Sequence, residues 1–243
     1  MKTIHLASRN TKEILRDPLN LFFGLGFPLV LLLLLTAIQA NIPVSMFEIE
    51  HLTPGISVFG LSFMTLFSAT IIAKDRCSSF LQRLYTSPLK PLDFIMGYTL
   101  PMLPIALAQT LICYIAAVVL GLELSIHILG AIIGILPVAF LYISLGLLCG
   151  SVFTDKQVGG ICGALLTNVS AWLSGIWFDL ELIGGVFQKI ANCLPFIHSV
   201  ELERAILCGN FTQALPHIWW VLGYGVAIFA LAVLLFLRQM KDR

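Results

Sequence analysis

Six long apolar stretches divide the chain: 21–40, 55–73, 97–120, 128–152, 158–177 and 218–237. None of them holds Asp, Glu, Lys, Arg or His. A bilayer's hydrocarbon core, about 30 Å thick, takes roughly 20 apolar residues in a helix. A charge at the centre of such a helix costs about 2.5–3.5 kcal/mol. Each stretch therefore predicts a transmembrane helix, whose backbone hydrogen bonds close within the segment. The fold class is an all-α polytopic membrane protein, a single transmembrane domain over 1–243 with six spans.

The polar segments between the spans are unequal. Segment 41–54 is short and acidic, the turn around Glu123 is brief, and 153–157 is minimal, whereas 74–96 is long and rich in charge. Segment 178–217 carries Ile183, Val186, Phe187, Ile190, Leu194, Phe196 and Ile197. It is interrupted by Asp179, Lys189, Glu201 and Glu203. That mixture is too polar to span and predicts one or two short helices, re-entrant or lying at the interface. Ahead of the first span, 1–17 places Ile4, Ala7, Thr11, Ile14 and Leu15 at helical spacing, with Lys2, Arg9, Lys12 and Arg16 mostly on the remaining surface. The pattern predicts an amphipathic interfacial helix, ended by Pro18. The alternative is a charged flank that only fixes topology. No small-residue cleavage site precedes the first apolar run, so the first span is expected to be retained.

Composition agrees with the pattern. The chain is 58% hydrophobic and 11% charged, against roughly 25% charged in soluble domains. The formal net charge of +1 gives no bulk field toward nucleic acid. The near-neutral sum hides an asymmetry. With the N-terminus inside, the inner segments hold Lys2, Arg9, Lys12, Arg16, Lys74, Arg76, Arg83, Lys90, Lys156, Arg238, Lys241 and Arg243, and the outer ones only Lys189 and Arg204. By the positive-inside rule both termini are cytoplasmic. Glu48, Glu50, Glu123, Asp179, Glu181, Glu201 and Glu203 fall outside. A bacterial plasma membrane is the expected location. Of the six cysteines, Cys193 and Cys208 share one outer segment, so location alone allows a disulfide between them.

The inner loop is the most informative segment. Residues 74–86 fit a short helix with Phe80, Leu81 and Leu84 on one face, flanked by Arg76 and Arg83 and stopped at Ser87-Pro88. Such a helix suits a groove on another protein; a solvated basic loop is the equal alternative. The loop resembles that of type-2 permeases of ATP-binding-cassette (ABC) exporters, which reads acidic-Arg-acidic-x-Gly-Thr-Leu-x-x-Leu-x-x-(Ser/Thr)-Pro-Leu. Asp75, Arg76, Leu81, Leu84, Ser87, Pro88 and Leu89 stand in register. Cys77, Ser79 and Phe80 depart from the pattern, and Gly97-Tyr98 stands where the family has Gly-Lys. Arg16-Asp17-Pro18 with Pro28, and the outer stretch from Ser174-Gly175 through Leu194-Pro195 to Glu203-Arg204, are similar to the family's in the same order.

The resemblance implies a non-catalytic permease subunit of an ABC exporter. A second permease subunit, identical or not, and two cytoplasmic ATPase subunits carrying ATP and Mg would complete it. The chain has no Gly-x-x-x-x-Gly-Lys-Ser/Thr phosphate loop, so ATP belongs to the partner and no cofactor is expected here. The implied ATPase-coupling residues are Asp75, Arg76, Phe80, Leu81, Arg83 and Leu84. The family's second and fifth spans border the cargo path, which points to Phe59, Phe63, Met64, Phe67, Thr167, Asn168 and Ala171 and to a hydrophobic or amphipathic cargo such as a drug, peptide or lipid-like molecule. Phenylalanines in a span are more often core or lipid-facing. Small residues at Gly159, Gly163, Thr167, Ala171 and Gly175 recur every fourth position, fitting close helix packing.

Two alternatives stand beside this reading. An ion-coupled secondary transporter usually needs ionisable groups within the spans; there Gln109 and Asn168 are the main strongly polar ones. An ABC complex devoted to peptide sensing or immunity would share every feature above. A membrane enzyme is disfavoured by the absence of a His-Glu-x-x-His or Gly-x-Ser-x-Gly motif.

Overall fold

The computed structural model describes residues 2–42, 47–78 and 91–241. Helix α1 (Lys2–Leu15) precedes α2, which runs Pro18–Asn41 with a π-helical turn at Phe22–Gly26. Next come α3 (Ile49–Cys77), α4 (Pro91–Thr99), α5 (Met102–Val119) and α6 (Ile126–Val152). Residues 155–172 form α7, whose middle, Gly159–Leu166, is π-helical. The short helices α8 (Leu180–Ile183), α9 (Gly185–Cys193) and α10 (Pro195–Leu207) lead to α11 (Phe211–Lys241). Among the described residues there is no strand. Helix starts follow local chemistry. Asp17 accepts from Asn20 N at 3.2 Å ahead of Pro18, Ser125 accepts from His127 N at 3.1 Å, and Thr154 with Gln157 forms a capping box.

Among the described residues five helices are long and apolar enough to cross a membrane: Pro18–Asn41, Ile49–Cys77, Asp93–Val119, Ile126–Val152 and Phe211–Arg238. The chain is thus an all-α, multi-pass membrane protein. The expected fifth span, 158–177, is not among the five. Its helix ends at Trp172 and the chain then turns, with Gly175 at φ +71°. Gly159, Gly160 and Gly163 weaken the helix, and Thr167 Oγ1 donates to the Cys162 carbonyl five residues back, at 2.9 Å, in keeping with the widened turn.

Helix α3 is the axis of the bundle. Of its most apolar window 89% is buried, against 22% for α2 and for α11. It lies directly on α6, where Gly146 and Gly150 meet its backbone. A Cβ on Gly146 would come within 2.6 Å of the Thr65 carbonyl oxygen, and one on Gly150 within 2.8 Å of the Ala69 carbonyl oxygen. Thr65 Oγ1 also donates to the Tyr142 carbonyl at 2.8 Å. The spacing Gly-x-x-x-Gly is the packing device. The stripe expected on 158–177 is used less: added Cβ atoms at Gly159 or Gly160 meet nothing within 4 Å, and Gly163 rests on Leu66.

Contacts sort the polar segments to two ends. Arg9 reaches Asp75, and Arg76 reaches Gly150 and Phe153, at a basic end. At the opposite, acidic end Arg204 contacts the His51 and Gly175 carbonyls, and His198 faces His217. The segment between α7 and α11 is helical as expected: α8 and α9 are largely exposed, with Leu182 and Val186 facing outward, and α10 turns inward. Helix α10 buries Phe196, Ser199, Val200, Leu202, Glu203 and Ile206 among its neighbours α3, α6 and α11. Gly209 at φ +73° reverses the chain into α11 with its Cα close against the His127 ring. Cys193 and Cys208 are exposed free thiols, so the disulfide that location allowed is not formed.

Candidate functional site

The residues flanking segment 79–90 converge at the basic end. Asp75 lies in the last turn of α3 and is 3% exposed. Its carboxylate accepts from Arg9 Nη1 at 2.6 Å, Arg9 Nη2 at 2.9 Å and the Tyr98 hydroxyl at 2.8 Å. One buried anion thus joins α1, α3 and α4. The two-pronged guanidinium contact fixes angle as well as distance. Burial alone would lower the Arg9 pKa. Hydrogen bonding and charge from Asp75, with Glu13 adding, outweigh it and leave the value raised. Glu13, one turn along α1, accepts from Arg9 at 2.8 Å.

The neighbouring Arg76 points the other way. Its Nη1 donates to the Gly150 carbonyl at 2.7 Å and the Phe153 carbonyl at 3.3 Å. These carbonyls close the C-terminal turn of α6, where helix oxygens lack intrahelical partners and cations are favoured. Two adjacent residues therefore clamp four helices at the mouth of the loop. Further bonds lock α1 onto α4. Asn10 Nδ2 donates to the Gly97 carbonyl at 3.0 Å, the Thr3 hydroxyl donates to Asp93 at 2.6 Å, and Leu6 packs on Gly97, where a Cβ would lie 2.5 Å from its Cδ2.

Helix α1 exists as expected, but its packed face is rotated. Leu6, Asn10 and Ile14 are buried, whereas Ile4 and Leu15 are 67% and 56% exposed. The cause is α4. Its glycine and carbonyl select Leu6 and Asn10, and Ile4 and Leu15 are left to face outward. Of the loop residues singled out, Asp75 and Arg76 are engaged inside the chain, while Phe80, Leu81, Arg83 and Leu84 lie outside the described residues. Arg9 and Tyr98, which complete the Asp75 cluster, were read from the sequence only as a basic flank and as a family departure. They lie 66 and 23 positions from Asp75, and no local pattern links them to it.

The residues expected to face cargo divide into groups. Phe59 and Phe63 meet edge to face at 5.8 Å and join an aromatic seam with Phe23, Phe27 and Trp177. Phe67 and Met64 are buried over Gly24, whose missing side chain admits the Phe67 ring. Thr167 and Ala171 are buried, and Asn168 is exposed with its amide bonded to the Ala164 carbonyl at 2.8 Å. Within the single chain, therefore, the phenylalanines pack in the interior between α2 and α3.

At the acidic end, His198 Nδ1 meets His217 Nδ1 at 2.9 Å, and its Nε2 donates to the Asn192 carbonyl at 3.0 Å. Burial lowers the His198 pKa. Neutral His198, protonated at Nε2, then accepts from His217 Nδ1–H, tying α10 to α11. Glu201 and Arg204 pair at 2.8 Å.

A family model described as ABC-2 type transporter matches residues 1–208 of the 243. No curated protein matches the chain.

Proposed function

The chain belongs to the ABC-2 type transporter family, and on that premise we propose that it is the permease subunit of an ATP-driven exporter in the plasma membrane. Two permease subunits and two cytoplasmic ATPase subunits make up the working complex, with both termini of this chain on the ATPase side. The cargo is hydrophobic or amphipathic. ATP and Mg act on the partner, and this chain supplies the path and the mechanical link. The family is a membrane-spanning transport component and generally non-catalytic.

What carries the reading is the Asp75 cluster. The loop 79–90 leaves α3 immediately after Asp75 and Arg76 and rejoins at α4. A force applied to the loop reaches α1 and α4 through Asp75 and α6 through Arg76. In this assignment Phe80, Leu81, Arg83 and Leu84 meet the ATPase, and Asp75 and Arg76 anchor the loop behind them. The working form is a charged, partner-saturated joint that transmits displacement without bending.

The test is Asp75→Asn and Arg83→Glu in the complex with its ATPase, reconstituted in proteoliposomes. Arg83→Glu should lose ATPase binding. Asp75→Asn should keep binding and lose most cargo-stimulated hydrolysis. Wild-type transport in both would sink the proposal. The ion-coupled alternative is favoured by one observation, a protonatable Glu203 inside the bundle. Cargo movement driven by a proton gradient with no ATPase present would establish that alternative.

A further inference from the structure

We propose that Glu203 and the apolar groove beside it form a binding site for an amphipathic amine, the alkyl body in the groove and the ammonium on the carboxylate. The inference rests on the transport reading and names a cargo class for it. The groove, about 410 Å³, runs between α6, α10 and α11 at the acidic end and is lined by Gly130, Gly134, Ile206, Phe211, Leu215 and Ile218 among others. Its size falls within the roughly 300–1,000 Å³ of small-molecule sites. The wall is thin at Gly134. A Cβ there would lie 3.2 Å from Glu203 Oε1 and 2.5 Å from Ile206 Cδ1. Only a residue without a side chain and the flexible end of Ile206 separate groove from carboxyl.

That carboxyl is 0% exposed, and neither oxygen has a hydrogen-bond partner among the described residues. The buried Tyr114 hydroxyl on α5 lacks one as well. Nearby charged and titratable groups are engaged elsewhere. Arg204 pairs with Glu201 and reaches the His51 and Gly175 carbonyls, His217 faces His198, and His127 lies against Phe211. Burial raises the Glu203 pKa well above its ordinary value, which favours the protonated acid while no ligand is bound. A buried acid without partners is costly, and an ammonium supplies both what it lacks, N–H donors and a compensating charge. The step balances as R–NH3⁺ plus Glu–COOH giving R–NH3⁺···⁻OOC–Glu plus H⁺. No covalent bond between protein and amine is made, and the proton leaves to bulk water. A neutral alcohol of the same chain length gains the groove but not the charge pair.

The probes are dodecylamine and dodecanol, added to the full chain in zwitterionic nanodiscs near pH 7 with no ATPase, empty nanodiscs serving as the blank. Calorimetry should give the amine about tenfold or more tighter binding, and a pH indicator about one proton released per amine bound. Glu203→Gln should abolish the amine preference and the proton release while still binding dodecanol. Leu215→Trp, which fills the groove from α11 without touching the acid, should weaken both ligands. Equal binding of the two probes overturns the proposal. So does preference or proton release that survives Glu203→Gln, the result expected if the carboxyl holds only an internal water. If Glu203→Gln does not insert, the wild-type protonated-carboxyl infrared band decides: its loss with dodecylamine but not dodecanol supports the site, and its persistence overturns it. Because no ATPase is present, failure here leaves the coupling reading intact, and loss of coupling in Asp75→Asn leaves this site intact.

Discussion

Asp75 and Glu203 are both buried carboxyl groups, one at each end of the bundle, and the surrounding chain treats them in opposite ways. Asp75 is met by a guanidinium and a phenol. The Glu203 oxygens find no hydrogen-bond partner among the described residues, and the bare Cα of Gly134 lies close to Oε1. Burial alone therefore assigns no role. A charge taken from water must be repaid by partners or given up by protonation. Asp75 takes the first course and becomes a fixed joint between three helices. Glu203 takes the second and stays open to a partner from outside the chain.

The sharpest way to break this contrast is to remove Asp75. Asp75→Ala takes from Arg9 its two-pronged acceptor, leaving it Glu13, and from the Tyr98 hydroxyl the Asp75 acceptor, and should lower stability by about 3 kcal/mol, toward the low end for a buried pair because Arg9 is half-exposed. Differential unfolding in mixed micelles would read it, and a change below about 1 kcal/mol would deny the joint. The mirror experiment should reverse the sign. Glu203→Leu replaces a partnerless acid with an apolar group of similar size and should stabilise by about 1–2 kcal/mol.

The pH response sharpens the same point. The folded pKa of Glu203 is raised, so the folded state binds the proton more tightly than the unfolded state. Its stability term is full below the unfolded value near 4.5 and is lost as pH rises from there toward the folded value. Wild type should therefore weaken relative to Glu203→Gln over that window, in unfolding curves taken across pH; parallel curves would contradict the assignment. Tyr98→Phe removes one hydrogen bond to a charged group and should cost about 1.5 kcal/mol. Glu13→Ala, an exposed one-turn pair with Arg9, should cost under about 0.5 kcal/mol.

Much of the fold is legible in the chain because a bilayer tolerates few patterns. Uninterrupted apolar runs gave four spans nearly whole and the helical core of the Asp93–Val119 span. In the 158–177 run the helix stops at Trp172, and hydropathy does not register what clustered glycines and a widened turn do to its length. The packed face of α1 was misplaced for a tertiary reason: Asn10 is buried by a carbonyl of α4 that its own neighbours do not reveal. The Asp75 cluster was half visible, since the loop motif marks Asp75 and Arg76 but not Arg9, 66 positions away. Glu203 looked like a polar interruption beside Arg204. Its inward aim had a faint signal, because Ser199, Glu203 and Ile206 share one helical face with buried neighbours.

The glycine contact between α3 and α6 has a mechanical consequence. Two rods touching backbone to backbone at Gly146 and Gly150 have no side-chain cushion to shear. With Arg76 pinned to the carbonyl of Gly150, they form a stiff beam. Over its 29 residues α3 is roughly 43 Å long. A tilt of such a beam at one end swings the other by a proportionate arc, undamped by local repacking.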